Sequence, residues 1–338
     1  MLLDRRGRPL TTLRLSVTDR CNLRCTYCMP ETHYTWLERP HLLSFEELTR
    51  VVRLLRLLGL QRVRITGGEP LLRQQLPRLL DMLSQLGLEG LALTSNGVLL
   101  EKQALALRQA GLKRLTVSLD TLKPEVFARL AQRHELPSVL SSLHHVSSLG
   151  FDELKLDTVV VRAINDGEIV DLCRFAAEIG AEIRFIEYMD VGGATRWQPE
   201  QVVSQSEILD HLRASYGSVE PLPGRGSAPA ERFLLGNGQV VGVVASVTRP
   251  FCADCDRLRL TADGQLLLCL YAKTGLDIRE LLRSGADDAR IGAVLTEFWR
   301  QRQDQGAVER TRVRSRAGYV SLEELRANPR LEMHTRGG

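Results

Sequence analysis

Cys21-Asn-Leu-Arg-Cys-Thr-Tyr-Cys28 sets three thiols in a C-x3-C-x2-C spacing, directly after an apolar β-like run at residues 13–17. A cubane iron–sulfur cluster normally takes four thiolates, so three in one short loop suit a cluster whose fourth iron stays open to a small molecule. A zinc site more often uses paired C-x2-C halves. A cysteine loop at the end of a strand also directs the reading of the fold, because parallel barrels collect their chemistry at the carboxyl ends of their strands.

Working outward, β-like runs at 13–17, 62–66, 91–94, 114–119, 154–161 and 182–188 alternate with amphipathic stretches at 45–58, 76–86, 101–109, 139–149 and 168–178. Ser44 with Glu47, and Ser204 with Glu207, have the spacing of capping boxes. Strand–helix alternation with right-handed crossovers gives a parallel sheet. The expected class is therefore α/β, an incomplete (β/α)6 parallel barrel, followed by a C-terminal domain that carries a second cysteine site. The Pro- and Gly-rich stretch 221–229 marks the boundary, so the expected domains are 1–220 and 221–338. Beyond it, Gly236-Asn-Gly238 and Asp263-Gly264 signal hairpins.

The strand ends carry the unusual residues. After the second comes Thr66-Gly-Gly-Glu-Pro70, after the third Thr94-Ser-Asn-Gly97, after the fourth Ser118-Leu-Asp120 and after the sixth Glu187-Tyr-Met-Asp190. Each alone reads as a turn; together they mark one rim.

Near the other end of the chain, Cys252, Cys255 and Cys269 form C-x2-C-x13-C. Taken alone, this is either a zinc ribbon short of a fourth ligand or a second cluster with an open iron. The seventh cysteine, Cys173, sits in a helical pattern as a small buried hydrophobe and not a ligand. The histidines show no ligand spacing. In Arg257-Leu-Arg259 a strand places both guanidinium groups on one face, which is either an ordinary solvent face or one where they converge on a polyanion.

The chain has 338 residues, 43% of them hydrophobic and 25% charged, enough to bury a large core. Net charge is only +4 and 5% of residues are aromatic, which argues against a nucleic-acid-binding module. No apolar run reaches membrane-spanning length, and the first residues lack the apolar stretch of a secretory signal, so a cytoplasmic protein is expected. A reducing cytosol favours metal ligation over disulfides for clustered thiols.

C-x3-C-x2-C with Tyr27 before the third cysteine, followed by Gly67-Gly-Glu-Pro70, resembles the radical S-adenosylmethionine superfamily. Within it, Leu13-Arg-Leu-Ser-Val-Thr-Asp-Arg-Cys-Asn22, Cys28-Met-Pro30, Arg64-Ile-Thr-Gly-Gly-Glu-Pro70, Arg184-Phe-Ile-Glu187, the Phe251-Cys-x-x-Cys-x-Arg-x-Arg-Leu260 motif and the closing Gly337-Gly338 are similar to the GTP 3′,8-cyclase family of molybdenum-cofactor biosynthesis. The resemblance implies two [4Fe-4S] clusters, on Cys21, Cys25 and Cys28 and on Cys252, Cys255 and Cys269. It implies S-adenosylmethionine contacts from Tyr27, Arg64, Gly67, Gly68, Glu69, Ser95, Ser118 and Met189. For GTP it implies Arg14, Lys155, Arg184, Arg257 and Arg259, with Gly337 and Gly338 reaching the substrate. Arg14, Arg257, Arg259 and the two glycines are the implied catalytic set. The implied partners are an electron donor and the downstream cyclic pyranopterin monophosphate synthase, with a homodimer as one assembly state and neither nucleic acid nor membrane involved. Asp157 and Arg336 depart from the family pattern, which has Asn and an aliphatic residue there.

Two rival readings make different demands. A peptide-maturing enzyme of the same superfamily is expected to carry more C-terminal cysteines, and a zinc-binding nucleic-acid module requires a basic stripe with interleaved aromatics. Two open-iron triads predict about eight irons per chain after anaerobic reconstitution, falling by roughly half on Cys→Ala at either triad. Iron and sulfide analysis checks this, and zinc at the C-terminal triad contradicts it.

Overall fold

The computed structural model describes residues 1–31, 33–313 and 316–337. Its first strands follow the expected alternation: β1 (Thr12–Ser16), β2 (Arg62–Thr66), β3 (Gly90–Ser95), β4 (Arg114–Ser118), β5 (Glu153–Val160) and β6 (Glu182–Glu187). Between them run α1 (Phe45–Leu57), α2 (Leu76–Ser84), α3 (Leu100–Gln109), α4 (Pro124–Ala131), α5 (Leu136–Ser147) and α6 (Ile169–Glu178), with α7 (Gln205–Tyr216) after β6. The expected capping boxes open α1 and α7. Helix α4, started by Pro124 at its first turn, is short and has no side-chain cap, which hid it from pattern reading.

The strands after α7 do not build a separate sheet. β7 (Val219–Pro221), β8 (Glu231–Leu235), β9 (Val240–Val244), β10 (Arg257–Leu260), β11 (Gln265–Leu267) and β12 (Leu276–Asp277) join the same 12-stranded sheet, in the order β12-β11-β10-β1-β2-β3-β4-β5-β6-β9-β8-β7. β10 lies parallel beside β1, and β9 parallel beside β6. The six-unit barrel is thus widened by one parallel strand on each flank, each backed by antiparallel strands. The expected hairpins are the β8–β9 and β10–β11 turns. Among the described residues, no helix is long and apolar enough to cross a membrane.

Period-two alternation decides what faces where. Leu13, Leu15, Val63, Ile65, Leu93, Leu115, Val117, Leu156, Ile183, Phe185, Leu258 and Leu260 point outward into one core with the apolar faces of the helices. Their neighbours Arg14, Arg64, Lys155, Asp157, Arg184, Arg257 and Arg259 point inward to a cavity. Cys173, fully buried on α6, belongs to the outer core.

A buried carboxylate ties the later segments to the barrel rim. Asp190, just past β6, accepts from Tyr271 Oη (2.8 Å), Arg310 Nε (2.7 Å) and Arg316 Nε (2.9 Å), while its carbonyl accepts from Tyr319 N (2.7 Å). Burial acts to raise its pKa, yet the hydrogen bonds from Arg316, Tyr271 and Arg310 hold it below the usual range. Removing one partner of a buried ion pair strands the other charge, so Asp190→Ala is expected to cost about 3–5 kcal/mol in denaturant unfolding.

Candidate active site

The inward faces line a cavity of about 910 Å³ that reaches all six ligand-candidate cysteines. The two triads lie at opposite ends of the strands. Cys21, Cys25 and Cys28 follow the carboxyl end of β1. Cys255 precedes Arg257, which stands opposite Thr12 at the amino end of β1, and Cys269 follows Leu267, the register partner of Arg259.

At the first triad, Cys28 N and Met29 N both donate to Cys25 O (2.9 and 2.7 Å), which closes the loop into a tight turn. Asn96 Nδ2 lies 3.8 Å from Cys21 Sγ and also donates to Asn22 Oδ1 (2.8 Å). Burial pushes the Cys21 thiol up to about 11, and burial with nearby negative charge pushes Cys25 and Cys28 higher. At the second triad burial also opposes ionisation, but Arg257 and Arg302 draw Cys255 down to about 7. Both donor sets fit an iron–sulfur group: three partly exposed, unbridged sulfurs face one cavity in each. Among the described residues, no three His, Cys, Asp or Glu side chains gather closely enough to hold a single metal ion.

Packing within the chain itself requires the Gly67-Gly68 pair. A Cβ on Gly67 (φ +152°) would stand 2.5 Å from Thr18 O, and one on Gly68 would collide with Arg20 O. Gly68 N and Glu69 N donate to those carbonyls at 2.9 and 2.7 Å, which fixes the turn against the start of the cysteine loop. Glu69 is fully buried and accepts from Leu71 N (3.0 Å), Ser95 Oγ (2.9 Å) and Asn96 N (2.7 Å); burial moves its pKa up to about 7. Ser95 therefore uses its hydroxyl proton on Glu69. Tyr27 donates to Asp120 Oδ2 (2.6 Å), with its ring edge-on to Tyr188 at 6.4 Å. Ser118 and Met189 line the cavity.

Cations crowd the middle. Arg14 stands in register with Arg259 on one side and Arg64 on the other. Burial and then repulsion from Arg259, Arg64 and Arg257 lower the pKa of Arg14, and burial followed by Arg257 takes Arg259 down to about 10. Arg64 Nη1 donates to Thr94 Oγ1 (3.1 Å) and Thr116 Oγ1 (2.9 Å). Lys155 pairs with Glu153, and Arg184 Nε with Glu182 at 2.9 Å. Arg257 leaves Nε and Nη2 buried without hydrogen bonds. Asp157, the departure from Asn, faces this group with Oδ1 unpartnered.

The tail enters the cavity wall. Arg259 Nη1 donates to Arg336 O (3.0 Å) and Gly337 O (2.7 Å), and Arg14 Nη1 to Gly337 O (3.2 Å). Gly337 is left-handed (φ +66°), and a Cβ there would collide with Thr66 Oγ1 and lie 2.9 Å from Ser16 Oγ. Arg336 is neither in solvent nor aimed at the cavity's anion site. It is 3% exposed and donates to Arg330 O (2.9 Å) and Leu270 O (2.8 Å). Gly338 lies outside the described residues.

Asp120, read from the sequence as part of the rim but given no role there, orients Tyr27, and burial raises its pKa to about 6. Other lining residues were not singled out from the sequence. Arg62 and Arg114 face the amino-terminal end of the cavity; the alternation Arg62-Val-Arg64 was the available signal for the first. The 221–229 stretch also lines the cavity, through Arg225, stacked on Phe251 at 4.8 Å, and Ser227, which donates to Asp256 Oδ2 (3.0 Å).

A partial barrel with an open-iron cysteine loop defines the radical S-adenosylmethionine class. Accordingly, the Radical SAM superfamily profile matches residues 15–176 and the Molybdenum Cofactor Synthesis C profile residues 181–308. Over 340 aligned residues the chain is 50% identical to GTP 3′,8-cyclase 1 of Mycobacterium tuberculosis, covering 99% of this chain and 95% of that one. It is 41% identical to the GTP 3′,8-cyclase of Aquifex aeolicus, covering 90% and 93%. Among solved structures, Streptococcus suis SuiB bound to S-adenosylmethionine shares the fold at TM-score 0.62 and 15% identity, over 85% of this chain and 68% of that one. The chain belongs to the GTP 3′,8-cyclase family.

Since the Gly337 carbonyl holds two arginines, Gly337→Ala is expected to displace the tail. Cyclised product should fall on the order of a hundredfold while reductive cleavage of S-adenosylmethionine persists, because small misplacements at a reacting centre carry that cost. Parallel assays of 5′-deoxyadenosine and cyclised nucleotide check it.

Proposed function

We infer that the chain catalyses GTP 3′,8-cyclisation, an early step of molybdenum-cofactor biosynthesis. The observation that carries this reading is the single cavity with a cysteine triad at each end and unneutralised arginines between. When bound, the first cluster and S-adenosylmethionine would supply a 5′-deoxyadenosyl radical; conversion of GTP to 3′,8-cyclo-7,8-dihydro-GTP takes one hydrogen atom from C3′, joins C3′ to C8 and returns one electron and one proton to the ring.

The chain's own residues bind, orient and exclude water. Cys21, Cys25 and Cys28 hold the first cluster, and Cys252, Cys255 and Cys269 a second. The backbone of Gly67 and Gly68, Glu69, Arg64, Ser95, Ser118, Met189 and Tyr27 surround S-adenosylmethionine at the carboxyl end. For this, Glu69 must share its buried carboxylate between the ligand's amino group and the amides that it already accepts from. Arg14, Lys155, Arg184, Arg257 and Arg259 take the triphosphate and ribose. A polyanion among these cations relieves the repulsion that lowers Arg14, and the two unbonded nitrogens of Arg257 are its ready donors. The Gly337 carbonyl, and Gly338 after it, position the nucleotide.

On this reading residues 1–220 generate the radical, and 221–338 carry the second cluster and hold the substrate together with Arg14, Lys155 and Arg184. An external donor must supply two electrons per turnover, one to cleave S-adenosylmethionine and one to reduce the cyclised ring. The product passes to cyclic pyranopterin monophosphate synthase, in the cytoplasm, with a homodimer as the proposed assembly.

Triphosphate contacts are common to all nucleotides, whereas guanine is the ligand that the open iron of the second cluster would select. GTP is therefore expected to bind well above ATP in anaerobic titrations. Arg257→Ala should weaken GTP by about 1.5–3 kcal/mol, one to two decades in affinity, with both clusters retained. Equal binding of the two nucleotides overturns the base-recognition model.

A further inference from the structure

The second triad is gripped from outside the cavity by a buried charge network that the proposed reaction does not use. Arg302 follows a helix, Asp288–Arg300, and its side chain is 1% exposed. It donates through Nη2 to Cys255 Sγ (3.2 Å), through Nη1 to Cys255 O (2.6 Å) and through Nε to Leu268 O (3.1 Å), next to Cys269. Its guanidinium lies 4.6 Å from the ring centroid of Trp299. The balancing carboxylate comes from the far end of the chain. Asp4, with a fully buried side chain, is 3.6 Å from Arg302 Nη1 and 2.6 Å from Arg8 Nε. Arg8 in turn donates to Cys252 O (2.9 Å) and Asp304 O (2.8 Å).

Two buried guanidinium groups share the buried Asp4 carboxylate, and the Arg302 charge lies directly beside Cys255. Removing a full charge from water is costly, and such groups persist only when their geometry is fixed by several hydrogen bonds. Here each arginine donates to the backbone of a cysteine and of a neighbour, Arg8 also donates to the Asp4 carboxylate, and Arg302 adds a bond to a ligand sulfur. Hydrogen bonds to cluster sulfurs and local charge are among the factors that set a cluster's reduction potential.

We propose that Arg302, held by Asp4 and Trp299, is a positioning residue that raises the reduction potential of the cluster on Cys252, Cys255 and Cys269 by hydrogen-bonding Cys255 Sγ. This rests on reading that triad as a cluster site. The added positive charge favours the more negative, reduced form, so the bond makes the second cluster easier to reduce than its three thiolates alone would.

The test uses the full chain with Cys25→Ala, which leaves the second cluster as the only expected source of signal, reconstituted anaerobically and titrated electrochemically with electron paramagnetic resonance readout. Arg302→Gln should keep the irons and lower the midpoint, with the oxidised-to-reduced ratio at fixed potential rising about tenfold, equivalent to about 59 mV for a one-electron couple. Arg302→Lys, which retains the charge, should recover part of the shift. A second variant, Arg302→Met, likewise leaves the Asp4–Arg8 pair intact and should show the same lowering, so a folding defect in one variant does not decide the outcome. An unchanged midpoint with irons bound in both variants overturns the proposal. If the Cys25→Ala chain with Arg302 intact takes up no iron at all, the cluster reading of the triad fails instead, and the inference falls with it.

Discussion

The parallel register of β10, β1 and β2 brings Arg259, Arg14 and Arg64 side by side on the inner face of the sheet. Neighbouring parallel strands stand about 4.8 Å apart, so inward groups in register are forced close in a poorly hydrated space. Burial, and after it the like charges alongside, hold Arg14 and Arg259 below their ordinary pKa values. Much of the interior responds to that repulsion. Thr94 and Thr116 accept from Arg64, the carbonyls of Arg336 and Gly337 accept from Arg259, and Glu153 and Glu182 pair with Lys155 and Arg184. Beside Arg14 the Asp157 carboxylate opposes the repulsion of three arginines, and a triphosphate would add further negative charge there.

The outer face supplies the rigidity that makes such an interior tolerable. Each inward arginine has outward neighbours, such as Leu13 and Leu15 around Arg14 or Leu258 and Leu260 around Arg259, that are fully or almost fully buried against helices. A strand cannot rotate an arginine out of the cavity without exposing its leucines, because a one-residue slip exchanges the two faces. The hydrophobic core therefore holds charges in place that would otherwise separate.

Where period and spacing fix chemistry locally, the sequence could be read. The six central strands, the capping boxes at Ser44 and Ser204, both cysteine triads and the shared face of Arg257 and Arg259 all depend on residues a few positions apart. What escaped depends on distant pairing. Nothing near Val240–Val244 signals that it will extend a parallel sheet beside β6, since it arrives by a hairpin and not through a helix. The glycine pair at 67–68 reads as room for a ligand until Thr18 and Arg20 are seen to occupy that space. Arg336 departs from the family pattern with no local sign of its place, which the carbonyls of Arg330 and Leu270 provide. Asp4 and Arg302 share no motif; only the folded chain places them together.

The bond from Arg14 to the Gly337 carbonyl spans 323 residues. Chains emerge from the ribosome amino end first at about 5–20 residues per second, so these partners appear roughly 15–65 s apart. The first cysteine loop is thus synthesised long before the opposite wall of the cavity. During that interval the chain carries its first three thiols without the groove that the tail completes. Contacts of such long range also form late in folding, because closing a long loop must precede any reward from it. Maturation is in this way ordered in time by the path of the backbone, with the confining end of the site added last.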